Sequence, residues 1–485
     1  MTDNQSIRSI LAPLTAIIVG LFMVILDGTA MNVMLPKLGQ EFHDGLSTIQ
    51  WTVTGYMLAQ AAVIPLAGWI SDRFGAKRIF LTSVAMFTIG SLLCAIAGSI
   101  EQLIAFRVIQ GLGGGMVMPI AMAFTYRLSP PGKVGAVMGM MGIPILLAPA
   151  LGPVISGWMV DYATWHWIFL INLPIGIVGV LIGLRTLPKI EKLTVASLDI
   201  FGMILAPISF ASLVYGISHG ASSTGGWSWD KSLPGIIIGV VGLILFILVE
   251  LRKSNPMLEL RVFKSFQFTQ AVFIQWIAQF AMFGSMFLVP MFLQYAKHYS
   301  AFDTGLIMLP QALSAGVMMP FGGKLFDRFG ARYLVVGGMV LLTGAALLIS
   351  NVTVHDSVSH MILPLICIGL GMGTFMMPLN THIIQSAPQN LVGRVTSLTN
   401  ALQQVISSLA VATLTTILTS KTSELIKAGK TADVISASYS HTFHIQAGIA
   451  VFGILVAFFL KRPKQPAAAQ SDASDEAQNT VYVAH

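Results

Sequence analysis

Apolar residues run along this chain in blocks of about 17 to 25, separated by short segments that gather charges and turn-forming residues. Blocks of that length suit helices rising about 1.5 Å per residue across a hydrocarbon layer about 30 Å thick. A barrel strand would instead show short apolar–polar alternation. The pattern predicts an all-α integral membrane protein with 14 transmembrane helices, the first at 14–36 and the last at 443–460. The first block ends in "MNVMLP" with no small-residue cleavage pattern, so it reads as a retained span.

The blocks repeat. "GWISDRFGAKR" (Gly68 to Arg78) returns as "GKLFDRFGARY" (Gly323 to Tyr333), each after the second span of a six-span unit. A weaker echo pairs "GLGGGMVMP" (Gly111 to Pro119) with "GLGMGTFMMP" (Gly369 to Pro378) at nearly the same offset. The expected organisation is a six-helix half at 1–192, two extra central helices within 193–264, a second six-helix half at 265–462, and a disordered tail at 463–485. The tail carries no apolar periodicity. Parallel halves of this kind are a transporter architecture, with a substrate path between them near the midplane.

Composition strengthens this picture. The 485 residues are 55% hydrophobic and 10% charged, against about 25% charged in an ordinary soluble domain. Six of the 27 Lys and Arg, namely Lys37, Lys231, Lys297, Lys421, Lys427 and Lys430, fall on the side opposite the termini. All the others except the intramembrane Arg107 share the side of the termini, which predicts cytoplasmic termini in a multi-pass cell-membrane protein. The net charge of +7 forms no stripe, so no nucleic-acid partner is expected. Cys94 and Cys367 both lie in apolar runs, and no disulfide is expected.

Two charges interrupt the oil. Asp27 stands roughly 20 Å along a helix counted from Leu14, well inside the membrane. A carboxylate there is costly unless it faces a cavity or a partner, and an embedded acid is suited to gain and lose a proton during transport. Arg107, in the fourth span, can pair with Asp27 and time the proton's departure, or hold backbone carbonyls of the first helix. Glu250 and Asp161 lie only at span ends.

"LDGTAMNVMLP", "GWISDRFGAKR", "RVIQGLGGG" and "APALGPVISGW" (Ala148 to Trp158) together resemble the motifs of the major facilitator superfamily, specifically its fourteen-span drug:proton antiporter family. The resemblance reaches to about residue 460. "WHWIFLINLPIG" (Trp165 to Gly176) is also similar, although the family usually has arginine where His166 stands. The resemblance implies proton transfer and conformational coupling at Asp27 and Arg107, and export associated with the fifth-helix motif.

Physical roles can be attached to each motif. Gly68 would let the second helix approach a neighbour, and Gly75 would allow a tight turn. Asp72 would pair with Arg73, Arg78 or a helix N-terminus to latch the cytoplasmic side. Asp327, Arg328 and Gly330 repeat that arrangement. Pro149, Gly152, Pro153 and Gly157 should bend the fifth helix and seat it against its counterpart at 395–419. Asn32, Gln275 and Gln279 are candidate polar groups of a substrate cavity, softened by the 26 Met and 28 Phe of the chain.

No nucleotide loop, nucleophile–base pair or metal cluster is visible, so neither an enzyme nor a metal centre is expected. His441 and His444 are spaced like a helical ligand pair but lack a third ligand. Spacing and charge imply a two-half, proton-competent transporter, and the resemblance implies a proton-coupled secondary exporter of lipophilic neutral or cationic drugs, needing no cofactor beyond the proton gradient, and a monomer. The alternative is a proton-coupled transporter of a specific metabolite, lipid or siderophore.

Overall fold

In a computed structural model, residues 7–128, 134–189, 200–218, 229–253, 256, 258–387, 392–428 and 433–460 are described. The expected tail at 463–485 and the 192/193 boundary lie outside them. The described residues form helices and connecting turns, with no strand among them. The first helices are α1 (Ile7–Phe42), α2 (Leu46–Ile49) leading into α3 (Trp51–Phe74), α4 (Ala76–Ala95), α5 (Ile100–Leu128), α6 (Val134–Tyr162), and α7 (His166–Leu170) leading into α8 (Asn172–Thr186). The next two helices are α9 (Ile200–Ser218) and α10 (Trp229–Arg252). Then follow α11 (Phe266–Met291), extended by a π-turn at Phe292–Ala296, α12 (Ala301–Phe329), α13 (Ala331–Ser350), α14 (Ser359–Gln385), α15 (Val392–Lys427) and α16 (Val434–Phe458).

Among the described residues, 12 helices are long and apolar enough to cross a membrane. Two more long helices, α6 and α12, each run 29 residues but are not among those 12. The expected total of 14 spans is two more than the 12 found among the described residues.

Local chemistry explains the sharpest turns. Gly75 ends α3 with φ +97° and donates its N–H to Ser71 at 2.9 Å, and α4 begins at the next residue. Gly330 does the same between α12 and α13, with φ +75° and a 2.8 Å bond to Phe326. A side chain is strained at such φ values, which is why both copies of the repeated sequence carry glycine there.

Gly68 behaves otherwise than its sequence suggests. No described atom lies within 4 Å of where its Cβ would stand, so it does not mark a close helix approach.

The fifth-helix cluster also departs from expectation. α6 continues as one helix through Pro149 and Pro153, and its neighbours are α1 and α12. Gly152 meets Thr29 and Ala30 of α1, while Gly157 meets Ala301 and Phe302 at the start of α12. Gly305 of α12 in turn sits against Pro153 and Val154. The expected partner, α15, packs on α3 instead. Small residues facing each other from both helices allow the α6–α12 backbones to approach, and that mutual fit decides the pairing.

α9 and α10 form a hairpin in which Gly216 and Gly235 interlock. α9 also touches both α3 and α15, whereas α10 presents Ile237, Ile238, Val241, Ile244 and Leu248 outward. Gln50 Nε2 donates to Ser218 Oγ at 2.9 Å, and Thr416 Oγ1 donates to the Ile217 carbonyl at 3.1 Å.

Candidate functional site

Asp27 and Arg107 meet inside the bundle, 2% and 1% exposed. Arg107 donates through one terminal nitrogen to Asp27 Oδ2 at 2.6 Å. The other carboxylate oxygen, Oδ1, accepts from Gln110 Nε2 at 3.1 Å and from Asn172 Nδ2 at 2.9 Å. Both oxygens of a buried carboxylate are thus met by donors, the condition under which such a charge is tolerated.

The partners are held in turn. Arg107 donates from Nε to the Thr52 carbonyl at 3.1 Å and from a terminal nitrogen to Gln110 Oε1 at 2.7 Å. Its guanidinium lies over the Tyr56 ring, 4.0 Å from the centroid. Asn172 Nδ2 also contacts Ser91 Oγ at 2.9 Å, and that hydroxyl donates to the Phe169 carbonyl at 2.8 Å. A planar cation with several donors can satisfy this many acceptors together, as a lysine ammonium could not.

Five helices therefore build the site: α1 gives the acid, α5 the arginine and glutamine, α3 a carbonyl and a ring, α4 a hydroxyl, and α8 an amide. Glycines position α5 between its neighbours. A Cβ on Gly111 would stand 2.6 Å from the Tyr56 carbonyl oxygen of α3, and one on Gly113 would stand 2.6 Å from the Phe87 nitrogen of α4. Gly-rich "GLGGG" thus lets α5 approach closely on both sides.

Of the two roles open to Arg107 in the sequence, the geometry brings it to Asp27; the carbonyl it holds belongs to α3 rather than to the first helix. Gln110, Asn172, Ser91 and Tyr56 are additions that the sequence reading missed. Their signal was present, since Gln110 and Asn172 are amides standing within quoted apolar motifs. Asp27 and Asn172 also line a crevice of about 210 Å³ with Leu26, Ala30, Ile155, Ser156 and Met159. Asn172 Oδ1 is buried without a partner.

Other expected residues are dispersed. Arg73 and Arg78 are exposed, with the Arg73 guanidinium 5.4 Å from the Trp69 ring centroid. Asp72 is half-buried at the same turn, Arg328 is exposed, and the Asp327 side chain lies outside the described residues. Lys77, whose sequence reading was topological, donates to the carbonyls of Leu184 at 2.8 Å and Leu187 at 2.6 Å. It thereby caps the end of α8, where cations are favoured.

Gln275 and Gln279 tie helices together: Gln275 Nε2 donates to Asn380 Oδ1 at 2.6 Å, and Gln279 Nε2 to Ser407 Oγ at 3.0 Å. Asn32 is buried in α1. Pro149 and Pro153 line a separate crevice on α6.

At the end of the bundle away from Ile7 and Leu460, α1 and α6 are joined to the π-turn after α11 and to α12. Gln294 Nε2 donates to the Val33 carbonyl at 2.8 Å, and Asp161 accepts from the amides of Ala301 and Phe302.

A polytopic helical bundle with a repeated turn and a buried acid–arginine pair is the build of a membrane transporter. The chain belongs to the Major Facilitator Superfamily, which it matches over residues 17–411. It is 32% identical to the lincomycin resistance protein LmrB of Bacillus subtilis (strain 168), over 91% of this chain and 94% of that protein. It is 35% identical to a multidrug resistance protein B homolog of Mycobacterium tuberculosis (strain ATCC 25618 / H37Rv), over 82% of this chain and 74% of that protein. Among solved structures, an auto-inhibited POT family peptide transporter superposes with TM-score 0.67 at 13% identity, covering 92% of this chain and 96% of that one. That last likeness concerns the fold alone. The protein is a multi-pass integral membrane transporter.

Proposed function

We propose that the protein is a proton-coupled exporter of lipophilic small molecules, working by alternating access with Asp27 as its protonation site. The observation carrying this reading is the buried Asp27–Arg107 pair at 2.6 Å, with three hydrogen bonds converging on one carboxylate. Protonating Asp27 converts a balanced pair into an uncompensated buried cation. Arg107 then rests on Thr52, Gln110 and Tyr56 alone, and the helices carrying these groups must rearrange to rehouse the charge. Drug export is supported by the names of the lincomycin and multidrug resistance relatives.

In this reading α6 and α12 are also membrane spans, which brings the total to 14, arranged as two six-helix halves around the α9–α10 hairpin. The termini are cytoplasmic, so the end fastened by Asp161 and Gln294 is the external one and the described state is closed outward. The turns at Gly75 and Gly330 belong to the cytoplasmic latch with Asp72, Arg73, Arg78, Asp327 and Arg328. The energy source is the proton gradient, and the transporting unit is a monomer.

The test is substrate-induced proton release from detergent-solubilised protein, comparing wild type with Asp27→Asn across a panel of lipophilic cations and neutral drugs. Wild type should release protons with some compounds and the variant with none. Equal release from both would remove Asp27 from the coupling role. Should nothing in the panel bind, a specific metabolite, lipid or siderophore becomes the substrate to seek.

A further inference from the structure

A second crevice opens on α6 away from Asp27. Pro149 and Pro153 form one wall, and Met286 of α11, Met308 and Met319 of α12 and Met372 of α14 form others, with Gln311 of α12 among them. Among the described residues, no charged side chain lines it. Met308, Gln311, Ala315 and Met319 recur at helical spacing, so one stripe of α12 faces the space.

Gln311 is 6% exposed and incompletely satisfied. Its Nε2 lies 4.0 Å from Met372 Sδ. A thioether only accepts, which turns the amide hydrogens toward the sulfur and leaves Oε1 as the free acceptor. Oε1 has no partner. A buried carbonyl in that condition is stabilised by any ligand that brings it an N–H or O–H.

Building on the exporter reading above, the geometry points to this crevice as the substrate site, selective for uncharged, polarisable lipophiles that carry a hydrogen-bond donor for Gln311 Oε1. The methionine thioethers suit aromatic surface. A cation would find no carboxylate here, because Asp27 is held by Arg107 and lies across α6. That helix separates the two spaces: Ile155, Ser156 and Met159 face the Asp27 crevice, while Pro149 and Pro153 face this one. An occupant bears on the same helix that walls the proton site.

The experiment is equilibrium dialysis of the purified full-length protein with N-phenyl-1-naphthylamine, which is uncharged with one N–H. Its N-methyl derivative, which has no donor, and tetraphenylphosphonium, a cation, serve as comparisons. Gln311→Leu should weaken N-phenyl-1-naphthylamine about five- to tenfold, the worth of one neutral hydrogen bond, and leave the N-methyl derivative unchanged. Gln311→Glu should gain affinity for tetraphenylphosphonium, a result that a misfolded variant cannot give.

Unchanged binding of N-phenyl-1-naphthylamine to Gln311→Leu, or no binding to wild type, would overturn the assignment and leave the crevice a seam for acyl chains. Transport in inverted vesicles separates the two readings. If wild type binds the probe through Gln311 but does not move it with a proton gradient, the exporter reading fails and this site stands. If the probe is exported and Gln311→Leu exports it equally well, only this site fails.

Discussion

The carboxylate of Asp161 accepts a hydrogen bond from the backbone N–H of Phe302 at 2.7 Å, so the last turn of α6 caps the first turn of α12. The second oxygen accepts from Ala301 at 3.2 Å. A helix N-terminus is short of acceptors and favours negative charge, so this contact fastens the two helices wherever that end of the bundle is closed. Asp161→Ala should cost the closed arrangement about 1 kcal/mol, a several-fold shift in population. The check is maleimide labelling of Val33→Cys, a buried position beside the Gln294 contact, which should accelerate in the Asp161→Ala background. An unchanged rate would mean that the glycine packing closes this end without the cap.

Arg107 offers a second comparison. Arg107→Ala leaves Asp27 as an unpaired buried charge and should destabilise the protein by about 3–5 kcal/mol. Arg107→Lys keeps a cation but cannot reach Thr52, Gln110 and Asp27 together. Its melting temperature in detergent should fall less than that of Arg107→Ala, while substrate-induced proton release is lost in both. Retained release in Arg107→Lys would show that charge alone suffices.

Two glycines should behave oppositely. Gly113→Ala forces a Cβ against the α4 backbone and should cost about 1–3 kcal/mol by overpacking. Gly68→Ala has nothing described within 4 Å and should leave the melting temperature near wild type. A comparable loss in both would contradict the packing described for the α4–α5 contact.

Asp356, in the turn between α13 and α14, accepts from the Thr353 N–H at 2.7 Å and the Thr353 hydroxyl at 2.8 Å. The backbone bond first and the hydroxyl second hold its carboxyl below the ordinary carboxylate value. Its stabilising contribution is therefore full above the unfolded value of about 3.9 and is lost as pH falls through the lower folded value. The melting temperatures of wild type and Asp356→Asn should differ by a constant amount above about pH 5 and converge below about pH 4. A gap that widens on acidification would reverse the sign and refute the assignment.

Some of this was legible along the chain. A carboxylate among leucines and valines is conspicuous, and so is an arginine in a glycine-rich apolar run, because each is chemically unlike its surroundings. The turns at Gly75 and Gly330 were readable because backbone geometry there restricts the residue type. Asn172 was harder to see, since one amide near the start of an apolar helix has many ordinary uses until Asp27 and Ser91 appear on either side of it. Lys77 and Asp161 act on main-chain groups of other helices, which leave no side-chain signature. The partner of α6 depended on how Gly157 and Gly305 fit one another, a relation between distant segments that no local pattern records. Gln311 carries no charge, and only its place on the wall of the second crevice in three dimensions distinguishes it from Gln275.

Among the described residues, the side chains that hydrogen-bond to Asp27 are drawn from α5 and α8, and the groups that hold those side chains come from α3, α4 and α7, all within the first 172 residues. The methionines and the glutamine of the second crevice come from residues 286 to 372. On the exporter reading, the two tasks have largely separate genetic addresses, with Pro149 and Pro153 the part of the second crevice that the first half supplies. Substitutions in the later half of the gene can widen or narrow the range of compounds handled while the machinery that draws on the gradient is inherited intact. A lineage under changing chemical challenge could then diversify its cargo without reinventing its engine.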